Sequence, residues 1–417
     1  MRSGPRVVVV GGGFAGLYAG AYLGSSELGD RGADVLLLSE RNYFTFTPLL
    51  AEVAAGALGR EHVTVAYRTL TRRYRIRFLQ ARMQALAPAE QVIHTTRGPI
   101  PYDYAILALG SEPRFFGNDA LRAASLPFAT VDDALRIRDC VVQRAELAAT
   151  AANRRERAHL LSFVIAGGGP AGVEVASEIW HLLRDVLPRH YERLDVAAVT
   201  LVEGGDRLLT GFDGGLARRG LELLRGRGIQ VRLGTRVLSA GEERIEVQGA
   251  LGRETIDAGV LVWTAGTAPA AVLGQLDIPR ADGGLVAVNQ ALQVERAPGL
   301  YAIGDISGVL DARTGRPYPR VAPIAISQGI RAAANVENEA LGRPPDPYTA
   351  FHAGKIVSLG DGQALVDILG LALTGRPAWW LYRMAYLLKL VGTKNKIRVA
   401  STLALNQFFG RDLTCEC

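Results

Sequence analysis

Cysteine is scarce in this chain: three in 417 residues, Cys140, Cys415 and Cys417. That is too few for a disulfide framework, and none stands in a C-x-x-C pair. The terminal T-C-E-C could hold a metal or form a thiol pair, and a frayed tail without a role is the simpler expectation. Six histidines show neither H-E-x-x-H nor clustered ligand spacing, so no catalytic metal is expected. The N-terminus runs directly into a valine strand and a glycine turn, with no h-region and cleavage site to mark secretion. No apolar run approaches the roughly 18–20 residues of a spanning helix, and the expected setting is cytoplasmic. The net charge is +6, but no nucleic-acid recognition motif accompanies it, so no nucleic-acid partner is expected.

Glycine, by contrast, is abundant, with 48 residues. Together with 48% hydrophobic and 21% charged residues, this describes a packed globular protein rich in tight turns. A chain of 417 residues is long enough for two or three domains.

The glycines are concentrated where chemistry is expected. Val7 to Val10 form a β-branched run suited to a parallel sheet buried on both faces. Gly11, Gly13 and Gly16 follow in G-x-G-x-x-G order, with Phe14 and Ala15 between them, and a helical stretch continues. The first glycine makes the tight turn, the second lets a pyrophosphate approach, and the third lets helix and strand pack closely. The phosphates then meet free N–H groups at the positive end of the helix. A second strand, ADVLLLSE, ends in Glu40, where a carboxylate can accept both ribose hydroxyls.

The device recurs. LLSFVIA, then Gly167, Gly169 and Gly172, then VEVASEIWHLL repeat strand, turn and helix, and VAAVTLVE ends in Glu203. Each unit also has a later partner strand, YDYAILALGSEP with Gly110 and IDAGVLVWTAGTAP with Gly266. Two dinucleotide-binding units in one chain imply two dinucleotides. The chemically sensible pair is FAD with a nicotinamide, because a flavin accepts a hydride and passes electrons on singly or in pairs. The first unit is assigned FAD, supported by Asp305 in APGLYAIGDIS, which resembles the aspartate that hydrogen-bonds the ribityl chain in two-dinucleotide flavoproteins. Asp305 also reads as a turn or cap residue. Glu203 favours NADH, since its charge repels a 2′-phosphate, and Arg207 nearby would soften that preference.

Across nearly its whole length the chain resembles the type II NADH dehydrogenases, single-subunit, non-pumping NADH:quinone oxidoreductases that carry FAD. The resemblance rests on GGGFAGL, ERNYFTFTPLLAEVAAGAL, YDYAILALGS, GGGPAGVEVASEI, WTAGTAP and LYAIGDIS. It implies that Thr47 and Pro48 line the flavin and that Glu174 sits near nicotinamide and flavin ring. From the residues alone, Glu174 is a first-turn acid favoured by the helix dipole. The family's A-Q-x-x-x-Q segment, whose glutamines face the quinone, aligns with APIAISQG. Gln328 matches the second glutamine and Ile324 replaces the first. Disulfide reductases of this architecture need a redox cysteine pair, which this sequence lacks.

Beyond the linker GRPPDPY, FHAGKIVSLGDGQALVDI alternates as a β-hairpin turning at GDG. RPAWWLYRMAYLLKLVGTKNKIRV then reads as an amphipathic helix. Trp380, Met384, Leu387, Leu388 and Val391 share one face, and Arg383, Lys389, Tyr382 and Tyr386 the other. Trp379 flanks it, and Lys394, Lys396 and Arg398 follow. That composition suits a membrane interface with anionic headgroups, while core packing or a homodimer contact are alternatives for the same face.

The expected fold is α/β, with two Rossmann-like dinucleotide-binding domains and a C-terminal membrane-associating segment. The FAD domain is split between 1–113 and 297–345, the NAD domain spans 114–296, and 346–417 is the C-terminal segment. The expected activity passes hydride from NADH to FAD and two electrons to a membrane quinone, at the inner face of the cell membrane. Glu174 is the candidate proton carrier and Gln328 a candidate quinone contact. Two rivals stand beside it: a soluble NADH-dependent reductase serving a ferredoxin- or rubredoxin-like carrier, and a non-catalytic redox sensor.

Overall fold

The valine run forms the strand Arg6–Val10, and none of its four valines is more than 1% exposed. Its burial on both faces follows from its place in the middle of a five-stranded parallel sheet. The order there is Leu300–Ala302, Tyr104–Leu107, Arg6–Val10, Asp34–Ser39 and Arg77–Gln80. The computed structural model describes residues 4–241, 244–350, 354–411 and 413–415. Within them the chain divides into two compact units. The first comprises Met1–Phe44, Val65–Glu112 and Thr267–His352; the second comprises Thr45–Thr64, Pro113–Gly266 and Ala353–Cys417.

In the first unit, the sheet carries the helix Phe14–Gly24, against which the helix Ala322–Ala340 packs. Their approach is close because Gly329 has no side chain: a Cβ there would lie 2.3 Å from the Ala15 carbonyl oxygen. A three-stranded antiparallel sheet, Met83–Ala87, Val92–Thr95 and Gly98–Pro101, completes this unit's core.

The second unit repeats the plan. Its parallel sheet runs Leu126–Pro127, Val260–Trp263, Ser162–Ala166, Ala198–Val202 and Gln230–Arg232, with the glycine-turn strand again in the centre. An antiparallel sheet, Arg236–Ala240, Arg244–Gly249 and Gly252–Asp257, again accompanies it. The internal repeat in the sequence is therefore a repeat of topology. The mixed α/β class with parallel Rossmann-type sheets is as the sequence predicts.

The C-terminal part of this unit begins with the expected hairpin, Gly354–Ser358 paired with Ala364–Ile368 around Gly360, Asp361 and Gly362. Residues 351–353, the start of the predicted strand, lie outside the described residues. A third strand, Leu371–Thr374, was not read from the sequence. The amphipathic helix is Gly375–Lys389, and it stops short of Val391, which is buried. A second helix, Thr393–Phe409, contains Lys394, Lys396 and Arg398, which the sequence reading placed directly after the first. Among the described residues no helix is long and apolar enough to cross a membrane.

Candidate functional site

Each glycine turn has the same construction. Gly11 and Gly167 take φ of +106° and +111°, which side-chain-bearing residues rarely adopt. A Cβ on Gly16 or Gly172 would lie 1.8 Å from the carbonyl oxygen of Gly11 or Gly167. The middle glycines differ. Gly13 and Gly169 stand at the N-caps of the helices Phe14–Gly24 and Pro170–His181, and no side chain caps either helix end. A Cβ built on either would meet nothing within 4 Å. Both turns therefore offer uncapped N–H groups facing open space, which fits the pyrophosphate of a dinucleotide.

In the first unit, Glu40 follows the strand Asp34–Ser39, and Arg82 donates to its Oε1 from Nε at 2.8 Å. Phe14 packs edge-on against Phe44 with centroids 5.1 Å apart, and Ala15 is buried. Gly110, at φ +71°, follows Tyr104–Leu107. Asp305 lies in the short helical turn Gly304–Ile306, where the Ser111 hydroxyl donates to its Oδ2 at 2.6 Å. Gln328 is 2% exposed, and its Oε1 accepts the Gly304 N–H at 2.7 Å. A cavity of about 300 Å³ opens here, lined among others by Asp305, Tyr318, Arg320, Ile324 and Gln328. Asp305, Ile324 and Gln328 are thus brought together around one cavity.

In the second unit, Glu203 follows Ala198–Val202 and reaches back to the glycine turn. Its Oε2 accepts the Gly168 N–H and its Oε1 the Gly205 N–H, each at 2.6 Å. A carboxylate has about four acceptor sites, so two remain for ribose hydroxyls. Arg207 is engaged with the Thr210 carbonyl at 2.8 Å. Gly266, at φ +93°, follows Val260–Trp263. Thr47 is exposed and Pro48 half-buried in the turn Thr47–Leu49, which leads into the helix Leu50–Ala54.

Glu174 departs from its simplest reading. The helix starts at Pro170 and has no acid in its first turn, so Glu174 lies beyond reach of a first-turn dipole role. It is half-buried, its Oε1 accepts the Ser358 N–H at 3.1 Å, and burial pushes its carboxyl up to about 8.

The C-terminal helix also corrects an expectation. Arg383 does not belong to a solvated basic face: it donates to Oε1 of Glu52, which is 1% exposed, and the Tyr382 hydroxyl donates to the same oxygen at 3.3 Å. Arg411 pairs with the buried Glu178 at 3.2 Å. This buried ionic cluster was missed; the signal was Glu52, a lone acid inside the apolar stretch LLAEVAAGAL. Lys396 and Arg398 donate to the carbonyls of Leu388 and Glu61, whereas Lys389 and Lys394 are exposed. The outer surface is apolar: Trp380, Met384 and Leu388 on the first helix, Ile397, Leu405 and Phe408 on the second, all exposed.

Cys140 lies in the helix Val131–Thr150 as a free thiol. Cys415 is disulfide-bonded, and Cys417 lies outside the described residues, so the expectation for the terminal pair falls partly beyond them. Among the described residues no group of His, Cys, Asp and Glu could hold a metal ion.

Comparison with known proteins agrees with this arrangement. Residues 5–329 match the family described as pyridine nucleotide-disulphide oxidoreductase, and residues 352–412 match the NDH2 C-terminal domain. The chain is 28% identical to a mitochondrial internal alternative NAD(P)H-ubiquinone oxidoreductase A1 of Arabidopsis thaliana, over 98% of this chain and 85% of that one. It is also 28% identical to the type II NADH:quinone oxidoreductase Ndh of Mycobacterium tuberculosis, over 94% and 86%. The fold superimposes on NDH2 of Plasmodium falciparum, solved with NADH, at a TM-score of 0.89 and 19% identity, over 98% and 99%. The chain belongs to the pyridine nucleotide-disulphide oxidoreductase family and, within it, to the type II NADH dehydrogenases.

Proposed function

We propose that this chain is an FAD-dependent NADH:quinone oxidoreductase that works at the inner face of the cell membrane without pumping protons. The observation that carries the reading is the pair of uncapped glycine turns, each with open space at its middle glycine and an acid at the end of the next strand. One chain so built can hold two dinucleotides. When bound, FAD supplies the two-electron chemistry that links a hydride donor to a quinone.

The chain's own residues bind and orient. Gly11, Gly13, Phe14, Ala15 and Gly16 would hold the FAD pyrophosphate, Glu40 its ribose, Asp305 its ribityl chain, and Gly110 a remaining edge. Gly167, Gly169, Gly172, Glu203 and Gly266 would hold NADH. Ile324 and Gln328 are the residues assigned to the quinone. In Gln328 the Oε1 is already engaged, which leaves its amide N–H₂ free to donate. Glu174, whose carboxyl stays protonated near neutrality, is assigned as proton carrier.

Membrane association is assigned to the outer apolar surface of the helices Gly375–Lys389 and Thr393–Phe409. Exposed Lys389 and Lys394 contribute a modest attraction to anionic headgroups. A second copy of the chain is the other occupant that would suit this surface.

Nucleotide choice follows from Glu203. A carboxylate held by two backbone amides presents its remaining acceptor sites to ribose hydroxyls and repels a 2′-phosphate. Replacing Glu203 with Gln is expected to narrow the kcat/KM gap between NADH and NADPH by about tenfold, mostly by weakening NADH. A wild-type preference for NADPH would refute this assignment. The function as a whole is tested by comparing a short-tailed quinone with an iron–sulfur carrier as acceptors for NADH oxidation by the purified holoenzyme. Faster turnover with the carrier would move the chain to the soluble-reductase reading.

A further inference from the structure

Each unit places an arginine where its parallel sheet hands over to its antiparallel one. In the first, Arg82 stands between the strands Arg77–Gln80 and Met83–Ala87; in the second, Arg236 opens the strand Arg236–Ala240 that follows Gln230–Arg232. Backbone bonds seat each beside its strand-ending acid. The Ala81 N–H donates to the Ser39 carbonyl at 3.0 Å, one residue before Glu40, and the Thr235 N–H donates to the Glu203 carbonyl at 2.9 Å. The two arginines are counterparts within the internal repeat.

Their engagements differ. Arg82 donates to Glu40 through both Nε and Nη2. Arg236 makes no such bond to Glu203, whose two oxygens are turned onto the Gly168 and Gly205 N–H groups. Instead Arg236 crosses Gly204, where a Cβ would lie 3.2 Å from its Cγ and 3.5 Å from its Nε. It is exposed and has no hydrogen-bond or ion-pair partner among the described residues. The neighbouring arginines are committed, Arg207 to the Thr210 carbonyl and Arg232 to Oε2 of Glu254 at 2.7 Å. One unpaired guanidinium therefore lies on the turn that follows the ribose acid.

We propose that Arg236 pairs with the 2′-phosphate of NADPH and is the residue that lets the second unit take NADPH beside NADH. This rests on reading the second unit as the nicotinamide site, and not on what accepts the electrons. In a Rossmann unit the acid after the second strand takes the ribose hydroxyls, and a nearby arginine accommodates a 2′-phosphate. The guanidinium fork matches phosphate oxygens two at a time. The adenosine ribose of FAD has no 2′-phosphate, so in the first unit the equivalent arginine can close on its acid. In the second unit it is left free. Glu203, fixed by two backbone amides, keeps repelling a 2′-phosphate, so NADH stays the preferred donor and Arg236 offsets part of that repulsion. Selectivity is the difference between a fixed anion and a free cation. Arg207, the arginine that the sequence suggests for this role, is held elsewhere.

NAD⁺ and NADP⁺ differ only in the 2′-phosphate and do not reduce the flavin, so their binding to the flavin-loaded protein, measured by calorimetry, isolates that contact. Arg236→Gln is expected to weaken NADP⁺ by about tenfold or more relative to NAD⁺, as for loss of a charge-assisted hydrogen bond. The kcat/KM gap between NADH and NADPH should widen by a similar factor. Arg236→Lys keeps the charge without the fork and should fall between wild type and Arg236→Gln. In a Glu203→Gln background, Arg236→Gln should again cost NADP⁺ more than NAD⁺, because the arginine acts on the phosphate and not through Glu203. Equal weakening of both nucleotides would make Arg236 a support for the adenine or the turn and would overturn the proposal. Unchanged NADP⁺ binding in Arg236→Gln, or a wild type that binds NAD⁺ alone, would overturn it too. A wild type that binds neither nucleotide would overturn the nicotinamide assignment of the second unit instead.

Discussion

Gly13→Ala is expected to fold normally and to purify without its flavin. At φ −68° alanine is comfortable, and the added methyl meets no protein atom within 4 Å. The methyl would instead stand where a pyrophosphate must approach the uncapped N–H groups of the Phe14–Gly24 helix. The neighbouring glycines give the contrast. Gly11→Ala forces a side chain into φ +106°, with its Cβ 2.1 Å from the Ala108 carbonyl oxygen, and backbone strain of this kind costs on the order of 1–3 kcal/mol before any clash. Gly11→Ala should therefore lose stability as well as flavin, whereas Gly13→Ala should lose flavin alone. Flavin absorbance per chain, read beside the thermal midpoint of each protein stripped of flavin, separates the two. Full flavin content in Gly13→Ala would remove the pyrophosphate from this turn.

Substituting Trp380, Met384 and Leu388 together with serine is expected to abolish membrane binding and leave the fold intact. Each residue is about half exposed or more, so little packing is lost. Burying one such side chain is worth about 1.5–3 kcal/mol when fully removed from water, so three together lower partitioning by about a hundredfold or more, even if each is only partly inserted. Deleting residues 378 to 417 is a poorer experiment than it looks from sequence. Such a deletion also removes Arg383 and Arg411, leaving Glu52 and Glu178 buried without partners, which costs about 3–5 kcal/mol for a broken buried pair. Salt should weaken binding only modestly, because Arg383 is committed inside the protein and Lys396 and Arg398 hold backbone carbonyls. Vesicle co-sedimentation measures this. Unchanged binding by the triple variant would hand the surface to a second copy of the chain.

The two nucleotide units were legible because each part of the device is local. An apolar strand, the glycine spacing and a strand-ending acid all lie within about forty residues of one another in each unit, and each follows from backbone sterics or from the N-terminal field of a helix. The C-terminal segment was legible only in phase. A helical wheel separated Trp380, Met384 and Leu388 from Tyr382, Arg383 and Tyr386, and the helix does keep them apart. Periodicity alone cannot tell which face is inward. The sequence reading set Arg383 towards anionic headgroups, and the structure turns it inward, because Glu52, 331 positions away, supplies a countercharge that no local pattern reveals. Ending the helix at Lys389 has a similar cause: Leu390 and Val391 are buried, and Gly392, at φ +86°, turns the chain into a second helix.

The most direct measurement is anaerobic mixing of the purified, flavin-loaded protein with one equivalent of NADH, followed by one equivalent of a short-tailed quinone. The two-unit circuit predicts that NADH bleaches the flavin absorbance and that quinone restores it, with one NADH consumed per quinol formed. Bleaching that quinone leaves untouched, but that an oxidised iron–sulfur carrier reverses, would contradict the quinone assignment. Absence of bleaching by NADH would contradict the circuit itself and leave the sensor reading in its place.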